Sequence, residues 1–251
     1  MVILPFYRFL IETEGKAGPF YSFVTRTGRA VPAVIPVRFP SFNREAGMIY
    51  GLWNNRGKSE IGRTTLQPPY SVFSALFALS DRIVSHTVVS PDNLKVAFLA
   101  TDEKTGETQL RLIAREEFGW FPLPHIRLPA ALSPICFASS AIVLYTAPSG
   151  ALNAVRLTKP ARIAQLFPEG ENPAYCERTG ARAFTRNGKL FFYGRTNEEI
   201  EDADPTAFSF SKEGDALFIA EGPTLFRYDL STKDVTTVFE ASRPITRIIE
   251  L

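Results

Sequence analysis

The chain has 251 residues, of which 45% are hydrophobic and 22% charged, so it can bury a sizeable core and has an ordinary globular composition. A net charge of +2 implies no overall electrostatic preference for nucleic acid or for an acidic partner. The 21 Phe and 8 Tyr, together with 19 Pro and 16 Gly spread along the chain, favour many short strands over a few long helices.

Charge is unevenly distributed along the chain. Residues 1–70 carry nine basic and four acidic residues, whereas residues 190–251 carry six basic and twelve acidic ones. The two ends could attract each other in the fold, or the N-terminal third could present an anion-binding face. Both interpretations remain open.

The N-terminus and the cysteines bear on the compartment. The first 15 residues have no basic start, Pro5 and Arg8 interrupt the apolar run, and no small-residue cleavage site follows. No window of about 18 apolar residues exists, so we expect no membrane span and a cytoplasmic protein. Cys136 and Cys176 are too few for a disulfide framework. They are expected to be buried thiols, although a single bridge between them stays open.

The chain begins with two aromatic-rich strand candidates, residues 4–12 and 20–26, joined by a glycine-containing link that predicts a hairpin. Residues 39–66 then read as a turn, an apolar strand, a polar hairpin at 54–58 and a second strand. Residues 71–79 fit a helix or a strand, and periodicity does not separate the two.

Weaker copies of the 39–66 pattern recur along the chain. The copies predict strands at residues 94–101, 108–114, 141–146, 152–157, 181–185, 189–193, 216–220, 224–230 and 235–240. Asn187-Gly188 is a strong signal for a tight turn between two of them. Aligned on Phe42, Val89, Leu132, Tyr175 and Phe210, the copies are spaced by 47, 43, 43 and 35 residues.

A period near forty residues with about four short strands predicts an all-β fold, a β-propeller. Each unit has a sheet face that it cannot bury alone, so neighbouring units stack. We expect five blades of four-stranded antiparallel sheets in one domain, residues 1–251. Strands within residues 4–26 are expected to pair with the C-terminal blade and close the ring.

The repeat resembles that of TolB-type propellers, in which a Ser-Pro-Asp-Gly turn precedes an apolar strand, an Asn-Arg-Gly turn and a Ser-Glu-Ile strand. Residues 54–61 (NNRGKSEI) match the later part, and Ser90-Pro91-Asp92-Asn93 and Ser211-Lys212-Glu213-Gly214 look like the earlier turn. The resemblance implies the fold and a general role in protein or ligand binding. TolB itself is periplasmic and has a further α/β domain, and we expect this chain to have neither a leader nor that domain.

Few motifs for catalysis are present. The only histidines are His86 and His125, and no Cys-x-x-Cys or His-Glu-x-x-His occurs, so we expect no metal and no cofactor. Gly51 and Gly57 are one residue too far apart for a phosphate loop. No Gly-x-Ser-x-Gly occurs either. One enzymatic alternative remains, a glycoside hydrolase using a carboxylate pair in the central channel. Its candidate acids are Glu171, Glu177, Asp204 and Asp215.

The favoured interpretation is a non-catalytic scaffold that binds a protein or a small ligand at the mouth of the channel. The candidate binding residues occupy corresponding or neighbouring places in four repeats, and they are Arg38, His86, Glu171 and Thr206. Nucleic acid is an unlikely partner, because the aromatic residues near the basic ones at 38–58 are expected to fill the core. A monomer is expected.

Overall fold

Strands alone make up the regular structure of the described part of this chain. The computed structural model describes residues 7–16, 18–43, 46–55, 58–65, 73–79, 82–128, 131–194, 197–200 and 203–251, and every regular element within these ranges is a β-strand. The strands form six antiparallel sheets of a β-propeller. Five of the sheets contain strands consecutive along the chain, one of them with a short additional strand, and the sixth combines the last strand with the first three. The all-β propeller prediction is confirmed, and the prediction of five blades is wrong.

The chain divides into two compact units of three blades each. Unit 1 comprises residues 1–35 and 174–251, and unit 2 comprises residues 36–173. Blades are numbered 1 to 6 in chain order. Unit 1 contains blades 1, 5 and 6, except for the start of the first strand of blade 5, and unit 2 contains blades 2, 3 and 4.

The strands of unit 1 lie at both ends of the chain. Blade 1 contains β1 (Tyr7–Thr13), β2 (Phe20–Thr25), β3 (Ala30–Ala33) and β25 (Ile245–Glu250). Blade 5 contains β17 (Glu171–Tyr175), β18 (Arg182–Arg186), β19 (Lys189–Tyr193) and β20 (Asn197–Ile200). Blade 6 contains β21 (Ala207–Phe210), β22 (Ala216–Glu221), β23 (Thr224–Asp229) and β24 (Val235–Glu240).

The strands of unit 2 follow one another along the chain. Blade 2 contains β4 (Arg38–Asn43), β5 (Met48–Asn55), β6 (Lys58–Thr65) and β7 (Ser74–Leu79). Blade 3 contains β8 (Arg82–Val89), β9 (Lys95–Asp102), β10 (Thr108–Glu116), β11 (Gly119–Pro122) and the short β12 (Ile126–Arg127), which pairs with β10. Blade 4 contains β13 (Leu132–Ser139), β14 (Ile142–Thr146), β15 (Leu152–Arg156) and β16 (Arg162–Phe167).

The miscount of blades has a clear cause in the two chain ends. The last repeat already supplies all four strands of blade 6, so the N-terminal strands are not needed there. The final strand β25 instead pairs antiparallel with β1, with Leu10 opposite Ile249 and Ile11 opposite Ile248. One strand from the C-terminus and three from the N-terminus therefore make a sixth sheet. Neither end of the sequence contains a complete four-strand repeat, so this blade was not counted.

The second strand of each well-formed repeat explains how neighbouring blades pack. Along β9, Val96, Phe98 and Ala100 lie in an apolar cluster shared with blade 2, whereas Ala97 and Leu99 lie in one shared with blade 4. Successive side chains of a strand point to opposite faces. A strand between two neighbours therefore has to be apolar at every position, which is why residues 96–100 read VAFLA.

Two turns confirm the repeat that the sequence suggested. In each, a serine N–H donates across the turn, Ser90 to the carbonyl of Lys95 and Ser211 to that of Ala216. Each serine Oγ also accepts the backbone N–H of that same partner residue, at 2.8 and 3.0 Å. The fourth residue of both turns has a positive φ, 56° at Asn93 and 70° at Gly214.

The third repeat begins later than the sequence alignment placed it. Val89 pairs with Val96 and Phe210 with Leu217 at the base of their turns, and the matching residue in blade 4 is Phe137, which pairs with Val143. Leu132, used in the alignment, lies five residues earlier. Its neighbouring Ser-Pro pair belongs to β13 itself and forms no turn.

Other local predictions can also be compared with the structure. Asn187 and Gly188 both have positive φ, 52° and 78°, as a two-residue hairpin between β18 and β19 requires. Within residues 71–79, the described part forms the strand β7. The Arg56-Gly57 part of the predicted Asn-Arg-Gly turn lies outside the described residues.

Two hairpins have the same left-handed position, which is occupied by glycine in one and by lysine in the other, so substitutions there should change stability in opposite directions. Gly106 in blade 3 and Lys233 in blade 6 each donate their N–H to an aspartate four residues earlier, with φ of 69° and 66°. A side chain at such φ costs about 1 kcal/mol. We expect Gly106→Ala to lower the free energy of unfolding by about that amount. Lys233→Gly should raise the free energy of unfolding by about the same amount. Loss of the ion pair between Lys233 and Glu198 should offset about 0.5 kcal/mol of this gain. Urea unfolding measures both, and a stable Gly106→Ala variant would contradict the argument.

Asp229 gives a prediction for stability at low pH. The Ser231 hydroxyl, the Thr232 and Ser231 amides and the Arg227 guanidinium hydrogen-bond to its carboxylate and hold its pKa below the ordinary value. A lowered folded-state pKa stabilises the fold above the unfolded pKa, near 4, and this contribution disappears as pH falls further. Asp229→Asn should therefore be less stable than the parent chain at pH 7.

The difference between the two chains should shrink as pH falls below about 4, because protonation then removes the advantage of the parent carboxylate. Urea unfolding from pH 7 to pH 2.5 measures this. Asp234→Asn, at an exposed position of the same hairpin, is the matched control and should change stability little at any pH. A pH-independent difference for Asp229→Asn would refute the assigned cause.

Candidate functional site

The four predicted binding residues all lie at the beginning of, or within, a first strand of a blade. Arg38 opens β4, His86 lies in β8, Glu171 opens β17, and Thr206 directly precedes β21. In unit 2, β4 lies beside β8 and β8 beside β13, and in unit 1, β21 lies beside β25. The first strands are therefore the ones that meet between neighbouring blades of a unit.

A bulge interrupts two of these strands at the same place. On β4 the pairing steps from Arg38 opposite Leu52 to Ser41 opposite Tyr50, so two residues face the single Gly51. On β8 the same step leaves His86 and Thr87 opposite one residue of β9. The first residue of each bulge, Phe39 or His86, has a positive φ of 50° or 55°.

A third first strand carries the same backbone feature. Asn172 in β17 has φ of 52° and lies four residues before Cys176, whose N–H donates across the next turn. His86 stands in the same relation to Ser90. Outside glycine this conformation is uncommon, and it costs about 1–3 kcal/mol for each residue unless its surroundings enforce it. Bulges and strained residues of this kind are concentrated at binding and catalytic sites.

The bulges bring three side chains together, which we call the Arg38 cluster: Arg38, Phe39 and His86. The Phe39 and His86 rings lie with their centroids 4.8 Å apart at an interplanar angle of 37°. The guanidinium carbon of Arg38 lies 5.5 Å from the centroid of Phe39. Cation–π contacts of this length contribute about 0.5–1 kcal/mol at exposed sites. Two of the four predicted residues, Arg38 and His86, therefore contact one shared aromatic ring.

Hydrogen bonds between the two blades hold this backbone in place. The fully buried Thr87 donates its hydroxyl to the carbonyl oxygen of Phe39 at 2.6 Å, and the N–H of Val89 donates to Ser41 Oγ at 3.0 Å. Further along, Tyr50 donates its hydroxyl to Asn93 Oδ1 at 2.8 Å. The positions of the two bulges are thus fixed relative to each other.

The charge of Arg38 is available to a ligand. Arg38 is exposed, and no carboxylate among the described residues forms an ion pair with it. Other arginines of the chain do form such pairs, for example Arg127 with Glu107 and Arg178 with Glu213. The Arg38 cluster therefore presents one uncompensated positive charge beside a half-buried aromatic ring and an imidazole.

The other two predicted residues have different surroundings. Glu171 is exposed at the start of β17, next to the left-handed Asn172. The Thr206 hydroxyl hydrogen-bonds to the carbonyl oxygens of Ala220 at 3.1 Å and Ile245 at 2.8 Å. These bonds tie β21 to β22 and β25 within unit 1, so this hydroxyl already has a structural use.

Phe39 packs against the apolar cluster shared by blades 2 and 3, as the sequence predicts for aromatics of this segment, and its ring also contacts Arg38 and His86. Sequence analysis did not name it as a site residue, and nothing in the sequence marks a phenylalanine for positive φ. Asn172 had a recognisable signal, since asparagine tolerates this conformation better than most residues. Gly51 indirectly indicates the bulge that it faces, because a side chain there would place its Cβ 2.7 Å from the Cβ of Val37.

Asp215, one of the four candidate acids of the hydrolase alternative, has a pKa below its ordinary value. The Ser211 hydrogen bond lowers the pKa of Asp215 in spite of partial burial, and Arg227 lowers it further. A general acid of a glycosidase needs a raised pKa. No group of three or more potential metal ligands occurs among the described residues. None of the described elements is a helix long and apolar enough to cross a membrane.

Solved structures of other proteins share this fold. TolB from Acinetobacter baumannii superimposes with a TM-score of 0.71 at 11% identity, over 96% of this chain and 65% of TolB. The chain shares the TolB propeller fold. The chain thus spans slightly less than two thirds of that protein, and the resemblance seen in the sequence is confirmed at the level of the fold.

Two further propellers show how widely this architecture is used. A chain from the crystal structure of a nidogen/laminin complex matches with a TM-score of 0.68 at 11% identity, covering 96% of this chain and 97% of its own. A puromycin hydrolase variant in complex with PGG matches with a TM-score of 0.58 at 15% identity, covering 95% of this chain and 46% of its own. No protein-family model and no curated protein matches the sequence.

The cysteines give a prediction about reactivity. Both are free, and burial raises the pKa of the Cys136 thiol to about 12. Cys176 is buried between strands of unit 1. The thiolate is the reactive form, so we expect the native chain to react slowly with Ellman's reagent at pH 8, and both thiols to react at once in guanidinium chloride. Rapid reaction of Cys136 in the native chain would contradict the burial of its sulfur.

Proposed function

We propose that this propeller is a non-catalytic scaffold that binds a protein partner or a small ligand on the first strands of its blades, with residues 1–251 acting as one domain. The proposed binding residues are Arg38, His86, Glu171 and Thr206, to which we add Phe39. The observation that carries the proposal is the Arg38 cluster. Two bulges with positive φ, joined by hydrogen bonds, position the charge of Arg38 beside the rings of Phe39 and His86.

Rigid positioning is what a binding site gains from such strain. A ligand that meets side chains already held in place loses less conformational entropy on binding. Thr87 and Ser41 hold the two bulges by bonds that do not involve the exposed face of Arg38. The nidogen/laminin complex supports the proposal as a precedent for a chain of this fold in a protein complex, and at 11% identity the likeness itself extends to the fold.

The hydrolase alternative has less support. Asp215, one of its four candidate acids, is already paired with Arg227, and its pKa is lowered. A catalytic pair would need one carboxyl group whose pKa is raised and a second carboxylate within about 5–10 Å. The puromycin hydrolase shows that a propeller can occur within a hydrolase chain, and in that case this chain corresponds to less than half of it.

The proposal is tested by capturing partners on the purified chain and on two variants. Arg38→Glu reverses the charge of the Arg38 cluster, and Arg162→Glu makes the same change on the outermost strand of blade 4, where the residue is also exposed. We expect a partner from the native host to be retained by the parent chain and by Arg162→Glu, and to be lost with Arg38→Glu. Native mass spectrometry of the parent chain, as isolated, detects a small ligand by its added mass.

Two outcomes would contradict this function. A partner that Arg38→Glu retains and Arg162→Glu loses would move the binding surface to the outer strands. Turnover of an oligosaccharide panel by the parent chain, abolished by Glu171→Gln, would replace the scaffold with the hydrolase. Circular dichroism of both variants checks that loss of binding is not loss of folding.

A further inference from the structure

We infer that the Arg38 cluster recognises a carboxylate, and that the partner it fits is an acidic segment of another polypeptide. This inference rests on the proposed binding function and specifies the chemistry of the ligand. The guanidinium of Arg38 is exposed, lacks an ion pair among the described residues and lies 5.5 Å from the ring of Phe39. A planar guanidinium in this position offers two parallel N–H donors, which match the two oxygens of a carboxylate.

Phe39 and His86 add to this recognition in different ways. The ring of Phe39 holds the guanidinium against an apolar surface, which limits its hydration on that side and strengthens its interaction with an anion. The half-buried ring of His86 has its centroid 4.8 Å from that of Phe39 and packs against it, which helps to hold the Phe39 ring in place. The backbone of both residues is fixed by the bulges, so the three groups need little rearrangement to bind.

A carboxylate fits this site better than a phosphate. Phosphate sites in proteins commonly gather several backbone N–H groups, as at the start of a helix or in a glycine-rich loop, together with more than one positive charge. Here a single permanent charge stands beside two rings on a β-bulge. One flat anion with a single negative charge complements this arrangement.

The charge of the surrounding sequence favours an acidic polypeptide over an isolated acid. Within unit 2, residues 36–70, which contain β4 and its neighbours β5 and β6, carry five basic residues and two acidic ones. A segment with several carboxylates would experience this excess over a Debye length of about 8–10 Å, whereas a single small acid would gain little from it. The attraction should therefore weaken as salt is added.

The test uses a fluorescein-labelled hexaglutamate peptide with an amidated C-terminus, and a hexaglutamine peptide as the uncharged control. Fluorescence anisotropy at low salt should show saturable binding of hexaglutamate alone. Arg38→Ala should weaken it about tenfold, as expected for loss of a charge-assisted, two-pronged hydrogen bond. Arg38→Lys should lose part of the affinity, because it keeps the charge without the fork. Arg162→Ala, the matched exposed arginine, should bind like the parent chain.

Three results would overturn the inference. One is equal affinity of the parent chain and Arg38→Ala, and another is equal binding of the two peptides. The third is displacement of hexaglutamate by inorganic phosphate at concentrations at which acetate has no effect, which would assign the site to phosphate. If no peptide binds but a host partner is still lost with Arg38→Glu, the carboxylate inference fails and the scaffold function stands. If hexaglutamate binds through Arg38 but no host partner is captured, the carboxylate inference stands and the scaffold function fails.

Discussion

Blades 3 and 6 of this propeller are sheets with two apolar faces, and each face is buried against a neighbouring blade of the same unit. In unit 2, the two faces of β9 contribute to two different clusters, one on each side. In unit 1, β22 does the same, with Leu217 and Ile219 in one cluster and Phe218 and Ala220 in the other. Burial of these side chains stabilises a blade only together with its neighbour, so the stacking of blades is the constraint on which the rest of each unit depends.

This constraint also explains why the first strands can carry strained residues. Apolar packing along the second and third strands fixes each sheet, and the first strands then meet as a consequence. Once β4 and β8 lie side by side, Thr87 and Ser41 can hydrogen-bond across the gap and hold Phe39 and His86 at positive φ. The cost of about 1–3 kcal/mol for each such residue is carried by packing elsewhere.

The sequence predicted those features that rest on local chemistry. Apolar runs such as residues 96–100 and 216–220 predicted second strands, and the turns at Ser90 and Ser211 predicted the repeat. The number of blades was not predictable in the same way, because blade 1 is assembled from the two chain ends, and pairing of β25 with β1 has no signal within either segment. Blade 4 was misplaced by five residues because a Ser-Pro inside β13 resembles the start of the repeat turn.

The candidate site was predictable only in part, and for a related reason. Arg38, His86 and Glu171 lie at the start of, or within, first strands and Thr206 directly precedes one, a spacing that follows from the repeat. The contact of Arg38 and His86 with Phe39 depends on two bulges, which shift the register by one residue and are invisible in an apolar pattern. The hydroxyl of Thr206, at a matching place in a strand that pairs without a bulge, hydrogen-bonds to neighbouring backbone.

The bulges also show how one repeated backbone can carry different chemistry. The residue before the left-handed position is Arg38 in blade 2, Ser85 in blade 3 and Glu171 in blade 5, and the left-handed residue itself is Phe39, His86 or Asn172. A left-handed residue is common to all three and the bulge is shared by blades 2 and 3, whereas charge, aromaticity and hydrogen-bonding capacity differ completely. Of these side chains, Phe39 also packs against the apolar cluster shared by blades 2 and 3, whereas the others lie outside the second-strand runs that fill the clusters. Ligand specificity on this fold can therefore change at these positions without a change in architecture, so the function has to be argued from these residues.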